Sequence, residues 1–450
     1  MDRFALAPAA IFDGERLWKA HAAVVEGERV VGVEAVGALP EGMEVRQLPG
    51  CTLLPGLIDC HVHLSDWMLP GFLAAGVTAV RDTGNDPAWI LRRRERTKSD
   101  PMAGPDILCC GPLLDGESAF WPQIGRPHAD PAAIRRSIDE MAERGVDAVK
   151  LYVHLTTEQI GAAATQADRR GLPLLAHLGP SVDLATAVSA GVREVQHLTG
   201  CVHHVEGWRT DTEAVTDSAA SLAKAGVVQC PTLVVWDRLC RLNDAAFRHD
   251  RRHEWVHPEI AAVWQRFPHR TGDVTDRLDR QRSVNTMKRV LGALAAAGCT
   301  VVAGSDAPFP HLVPGFSLHD ELSLLVDAGL QPAAALAAAT SVAADVLGLD
   351  DAGRIRPGSV ANMVAVGGDP LDDICVLSDV RLVLRRGQVV DFEALATNAS
   401  RLFSRAPDDP FSRLMIDFAE PAGGRSQRNA VACGYRKPPS STRCSAPEGL

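Results

Sequence analysis

Residues 53–63 read LLPGLIDCHVH, an apolar run that ends in two histidines, His61 and His63, with Asp59 two positions before them. On a strand, a step of two keeps side chains on one face, so both imidazoles point the same way. From this stretch toward the C-terminus, short apolar runs alternate with Ala-rich amphipathic segments. Strands are expected at 53–63, 78–82, 106–111, 148–152, 172–177, 194–197, 227–233 and 300–306, and helices at 131–144, 158–170 and 183–190. Gly145, Gly171 and Gly191 follow those helices, the usual chemistry of a C-terminal cap. Eight strand–helix units of this kind predict a (β/α)8 TIM-like barrel in the α/β class. A doubly wound open sheet fits less well, because no Gly-rich phosphate loop follows the first strand.

The flanks read differently. Residues 1–52 hold short alternating runs (AAIFDG, AAVVEGERVVGVEAV, EVRQLPG), and residues 353–392 return to the same pattern. Together they predict a small β-sandwich domain built from both flanks of a barrel spanning 53–352. Residues 396–450, rich in Ser, Pro, Arg and Gly, are expected to form a tail without fixed structure. Across 450 residues, 46% are hydrophobic and 23% charged, which excludes fibrous and wholly disordered classes. The net charge of 46 − 56 = −10 argues against a nucleic-acid partner. No run reaches the ~18–20 apolar residues a membrane helix needs, and acidic residues beside the first apolar stretch argue against a secretory signal. Eleven cysteines without disulfide spacing suit reduced thiols in a cytoplasm.

In a barrel, chemistry sits at the C-terminal ends of the strands. The polar residues there are His61 and His63 (first strand), Lys150 (fourth), His177 (fifth), His197 (sixth) and Asp306 (eighth). Singly, each has a bland meaning: a strand-end Asp commonly caps the next helix, and a strand-end His commonly packs. Lys150 is harder to dismiss. It is one of only six lysines, and an unpaired ammonium in an apolar strand is costly. Five strands of one ring contributing such residues predict a metal site. Neutral imidazole and carboxylate bind zinc-like divalent ions, and manganese, iron and cobalt as well. A second ion needs a bridging anion. Lys150 could supply it after reaction with carbon dioxide, as a carbamate whose two oxygens bridge two metals ~3.5–4 Å apart and poise the water between them. Asp59 is expected to orient a ligand from behind.

These motifs resemble a known family. LPGLIDCHVH resembles the PGLIDxHxH signature of the amidohydrolase superfamily, and residues 321–366 (ELSLLVDAG…RIRPGSVANMVAV) resemble the C-terminal run of its imidazolonepropionase-like and prolidase-like branch. The resemblance spans about residues 5–390. It implies that His61, His63 and Asp306 hold the more buried metal and His177 and His197 the more exposed one. Carboxylated Lys150 would bridge the two, and Asp306 would shuttle the proton. The activity implied is hydrolysis of an amide-like C–N bond (in an N-acyl amino acid, dipeptide or cyclic amide) by a metal-bridging hydroxide. Three departures stand out: Leu178 replaces a Tyr common after the strand-five histidine, residues 111–126 replace a Gly/His-rich loop, and Asn362 interrupts an ADLVV-like run. The rivals are a mononuclear deaminase, which lacks the strand-four lysine, a lactone, carbamate or ester hydrolase, and a catalytically silent structural homologue, which would have lost ligands.

Trp67, Trp121, Trp208 and Trp236 fall in loops after strands, where they would give an apolar or aromatic small molecule its pocket. His203, His204 and Arg209 are candidates to meet a substrate carboxylate or carbonyl. Residues 238–282 read as an excursion capping the site, with mostly solvated charges. A homo-oligomer is compatible with all of this; a membrane partner is not expected.

Overall fold

A computed structural model describes residues 3–201, 212–267 and 274–419, the side chains of 212–217 and 274–280 aside. Its strands are β1 (Arg3–Phe12), β2 (Leu17–Lys19), β3 (His21–Glu26), β4 (Arg29–Ala35), β5 (Glu44–Pro55), β6 (Leu57–Val62), β7 (Val77–Asp82), β8 (Asp106–Cys109), β9 (Leu113–Asp115), β10 (Gly125–Pro127), β11 (Val149–Leu151), β12 (Leu174–Ala176), β13 (Glu194–Gln196), β14 (Val228–Cys230), β15 (Met363–Gly367), β16 (Val380–Arg385) and β17 (Gln388–Val389). The chain flanks join in one eight-stranded sheet, ordered β17-β16-β15-β5-β1-β3-β4 with β2 beside β1. The central strands pair in parallel as β6-β7-β8 and as β10-β9-β11-β12-β13-β14, with helices between successive strands except across β8, β9 and β10. This is a TIM-like α/β fold.

The expected first strand, 53–63, divides at Gly56. Its first part belongs to β5 in the flanking sheet and its second is β6. A Cβ at Gly56 would lie 2.3 Å from Thr78 Oγ1, so only glycine lets the chain pass this close to β7. The expected eighth strand forms isolated bridges rather than a ladder, Gln229 to Val301 and Val62 to Ala307. Its backbone is still paired on both sides: Val302 N–H donates to Gln229 O (2.9 Å) and Cys60 N–H to Ala303 O (2.9 Å). The run stops at Asp306, whose φ of 60° leaves the extended region.

The expected helices at 131–144, 158–170 and 183–190 appear as Pro131–Arg144, Thr157–Arg170 and Leu184–Ala190, each ended by its glycine in a left-handed conformation. The C-terminal expectation needs correcting. The sequence predicts a structureless tail over 396–450, yet Phe392–Phe403 and Pro410–Ala419 are helices. Asp409 caps the second, accepting the Ser412 N–H at 2.9 Å, and Phe411, Leu414 and Met415 are buried at helical spacing. Residues 420–450 lie outside the described residues. Of the charges in 238–282, expected to be mostly solvated, Arg238 is an exception. Arg238 is buried, ion-paired to Asp237 (2.7 Å) and Asp320 (2.6 Å), because helix Phe316–Asp327 packs against it.

Arg385 of β16 ties the flanking sheet to the central one. Fully buried, it donates to both oxygens of Asp106 (2.9 and 2.7 Å) at the start of β8 and to Asn362 Oδ1 (3.2 Å). Among the described residues no helix is long and apolar enough to cross a membrane, and all nine cysteines are free thiols.

Candidate active site

The six expected ligand positions line one cavity. His61 lies in β6 and His63 just beyond it, and Lys150 lies in β11. His177 and His197 follow β12 and β13, and Asp306 stands at the turn after Val301. His61 Nε2 is 3.3 Å and His63 Nε2 3.5 Å from Asp306 Oδ1, and His197 Nδ1 is 3.9 Å from Asp306 Oδ2. The rings of His61 and His177 each lie within 4.7 Å of the His197 ring, centroid to centroid. Donor atoms of His61, His197 and Asp306 all fall within 4.8 Å of one another.

His61, His63 and His197 are each held from behind. Gln196 Nε2 donates to Glu194 Oε1 (2.6 Å), and Arg81 clasps the same carboxylate with two N–H groups. Burial alone would raise the Glu194 pKa, but Arg81 and Gln196 outweigh it and hold Glu194 below its ordinary value. An ionised carboxylate only accepts, so the Gln196 amide nitrogen must face Glu194 and its oxygen must face His61 Nδ1. His61 therefore carries its proton on Nδ1 and turns the Nε2 lone pair toward Asp306. The His63 Nδ1–H donates to Gly84 O (3.1 Å), leaving its Nε2 similarly bare. His197 Nδ1 and Thr232 Oγ1 share a hydrogen bond of 2.6 Å. Asp59 works on the backbone rather than on a ring. It accepts from Ser305 N (2.9 Å), Ser305 Oγ (2.6 Å) and His61 N (3.2 Å), locking β6 to the Asp306 turn.

Burial holds the imidazoles neutral. It pushes His61 and His197 well below the usual histidine range and His63 down to about 4. Burial raises Asp306 to about 6 and lowers Lys150 to about 8. Neither Lys150 Nζ nor Asp306 Oδ1 has a hydrogen-bond partner, although both are buried. Bare imidazole nitrogens, a partnerless carboxylate oxygen and a partnerless amine lining one cavity are a donor set that fits divalent metal ions.

The space above these groups, taken out through its open mouth into solvent, is about 560 Å³. Trp121 and Trp236 line it, as expected from the sequence. Trp67 does not. It is buried beside the C-terminal helix, its Nε1–H donating to Ser412 Oγ (3.2 Å). His203, His204, Trp208 and Arg209 lie outside the described residues. The sequence reading missed Tyr152, Phe309 and Phe411, which also line the cavity. Phe411 stacks on His63 at 4.7 Å with the planes 4° apart, and Trp121 Nε1–H donates to the Tyr152 hydroxyl at 2.9 Å. Tyr152 stood two residues beyond Lys150, within reach of a strand-end search. Phe411 was masked by the assignment of its segment to a tail.

The chain belongs to the amidohydrolase family, whose profile matches residues 52–390. It is a metal-dependent hydrolase acting on carbon–nitrogen bonds. Among curated proteins it is similar to imidazolonepropionase of Cereibacter sphaeroides, at 26% identity over 388 residues, covering 79% of this chain and 90% of that one. It is also similar to adenine deaminase of Serratia proteamaculans, at 24% identity over 354 residues, covering 76% of this chain and 49% of that one. Among solved structures, bottromycin amidohydrolase superposes with a TM-score of 0.71 at 26% identity, covering 91% of each chain. A Xaa-Pro dipeptidase superposes with a TM-score of 0.66 at 19% identity, covering 86% of this chain and 99% of that one, which speaks to the fold.

Proposed function

We propose that the protein is a two-metal hydrolase of an amide-like C–N bond in a small molecule. The observation that carries this reading is Lys150, a buried amine without a hydrogen-bond partner in a cavity it shares with four histidines and Asp306. As a carbamate formed with carbon dioxide, Lys150 presents two anionic oxygens and no longer leaves an ammonium unpaired. His61, His63 and Asp306 would then hold one ion, His177 and His197 the other, and carboxylated Lys150 both. When bound, a pair of divalent ions, zinc in the simplest case, supplies an acidified water and polarises the substrate carbonyl.

The rest of the work falls to the chain. The Gln196 and Gly84 contacts keep His61 and His63 in the tautomer that donates a lone pair. Asp306 takes the proton from the attacking water and hands it to the leaving nitrogen, acting first as base and then as acid. Aromatic walls exclude bulk water while this happens. We further read the two parallel arcs, joined through residues 300–307, as one closed barrel, and the flanking sheet with its own apolar clusters as a small sandwich. The pairings of Gln229 with Val301 and of Val62 with Ala307 support that reading.

A one-metal, deaminase-like centre is the second reading, favoured by the compact His61, His197 and Asp306 trio. Elemental mass spectrometry on untagged protein, grown with added metal and bicarbonate, separates the two. About two equivalents per chain is the expected result and about one would favour the second reading. None would leave a barrel without a catalyst.

A further inference from the structure

Five separate segments each send one aromatic ring to the mouth of the cavity. Trp121 comes from the 113–127 excursion, Tyr152 follows β11, Trp236 lies in helix Leu233–Cys240, Phe309 follows the Asp306 turn, and Phe411 comes from the C-terminal helix. Four of the five are half-buried, with part of each ring open to the cavity, while Phe411 is buried against His63. The polar tips among them are partly engaged already, since the Trp121 N–H is given to the Tyr152 hydroxyl. Among the described lining residues, the ionisable side chains other than Tyr152 are Lys150, Asp306 and the four histidines, and all six belong to the metal set. No arginine and no second lysine reaches the cavity from a described residue.

We infer that the substrate's non-reacting portion is uncharged and carries an aromatic or cyclic apolar group. This rests on the reading of the protein as a C–N hydrolase and narrows it. Of the substrates that reading admits, N-acyl amino acids and dipeptides carry a carboxylate. Beyond the metal set, such a carboxylate would give up its hydration against Trp121, Trp236, Phe309 or Phe411, and no cationic side chain of a described residue stands there to receive it. A flat apolar group exchanges water for ring faces and edges instead. Rings from these five segments line the space above the metal set. Phe411 sets the depth of this space, because the Asp409 contacts with Ser65 and Ser412 pin its helix across the strand-one loop.

The test uses a matched pair that differs by one carboxylate: N-benzoyl-2-phenylethylamine and N-benzoylphenylalanine. Binding is read first, by equilibrium dialysis against metal-loaded Asp306→Asn protein, which cannot turn either compound over. The neutral amide is expected to bind about tenfold more tightly or better. Equal binding, or preference for the acid, overturns the inference. Phe411→Ala and, separately, Trp236→Ala should each weaken binding of the neutral amide by about tenfold with metal content unchanged, while Phe411→Leu should retain most of it. If neither truncation moves the affinity, the aromatic walls do not hold the substrate and the inference falls. Hydrolysis by wild-type protein is a separate readout. Cleavage of neither amide, with the binding preference intact, would sink the reaction proposed above and leave the pocket assignment standing.

Discussion

Gln196 has one permissible orientation, and that follows from its neighbours rather than from its own chemistry. Arg81 keeps Glu194 ionised, Glu194 demands the amide N–H, and the amide oxygen is left for His61 Nδ1. Gln196→Leu removes the contact that fixes the His61 tautomer while leaving the Arg81–Glu194 pair in place. Metal affinity, measured by competition with a chelator, should fall about 10–100-fold. An unchanged affinity would mean that His61 needs no such support. Asp306→Asn separates chemistry from binding: turnover should be lost, since an amide cannot carry the proton, while much of the metal stays bound. Retention of near-normal kcat would remove the shuttle role from Asp306. These side chains divide by how visible they are in a sequence. His61 and His63 announce themselves by a step of two, and Lys150 by its rarity and apolar setting. Arg81, Glu194 and Gln196 carry no such mark, because their meaning arises only when β7 and β13 bring them together. Asp306 was legible as a strand-end acid, but not its φ of 60°, which turns it into the cavity and is the kind of backbone constraint that functional positions hold.

The helix Pro410–Ala419 shows how a segment can be misjudged by its surroundings. Asp409-Pro410 is a helix start, and Phe411, Leu414, Met415 and Phe418 recur at 3.6-residue spacing, yet the polar sequence that follows drew the whole stretch into a tail. What the helix does was not legible in either case. Its position depends on Ser65 Oγ donating to Asp409 Oδ1 (2.7 Å), a contact across 344 residues. Asp409→Ala should cost about 1–2 kcal/mol of local stability. It should also expose 404–419 to limited proteolysis under conditions where the central strands and their helices stay resistant, a difference visible by mass spectrometry of the fragments. Cleavage at the wild-type rate would show that the apolar face of the helix suffices to hold it. Strand boundaries were blurred for a related reason. The run 53–63 is continuous in hydrophobicity, and only the tertiary crowding of Gly56 against Thr78 shows that it serves two sheets.

Between the flanking sheet and the central strands, Arg385 is fully buried, and polar groups there carry large consequences. Arg385→Leu leaves Asp106 with Arg386 alone (3.1 Å) and removes the buried tie between the two sheets, so it should lower unfolding stability by about 1–2 kcal/mol, read from urea titration. A second deep carboxyl, Glu321 of helix Phe316–Asp327, accepts the Leu233 (3.0 Å) and Val234 (2.7 Å) N–H groups and so anchors the helix that carries Trp236. Burial pushes Glu321 from its ordinary 4.5 up to about 8, Asp59 adding to the rise and the two N–H groups and Lys288 opposing it. Through that window the native chain keeps a proton that the unfolded chain has lost. Unfolding free energy therefore falls as pH climbs from about 4.5 to about 8 and levels off above. Glu321→Gln cannot titrate, so its melting temperature should fall less over the same range, and near pH 8 it should match or exceed wild type. Other buried acids, Asp59 and Asp82 among them, shift in the same direction, which is why the comparison must be made with the variant and not from the wild-type profile alone. Parallel profiles for the two proteins would mean that the two backbone donors already hold Glu321 ionised, and that the helix N-terminus outweighs burial at this position.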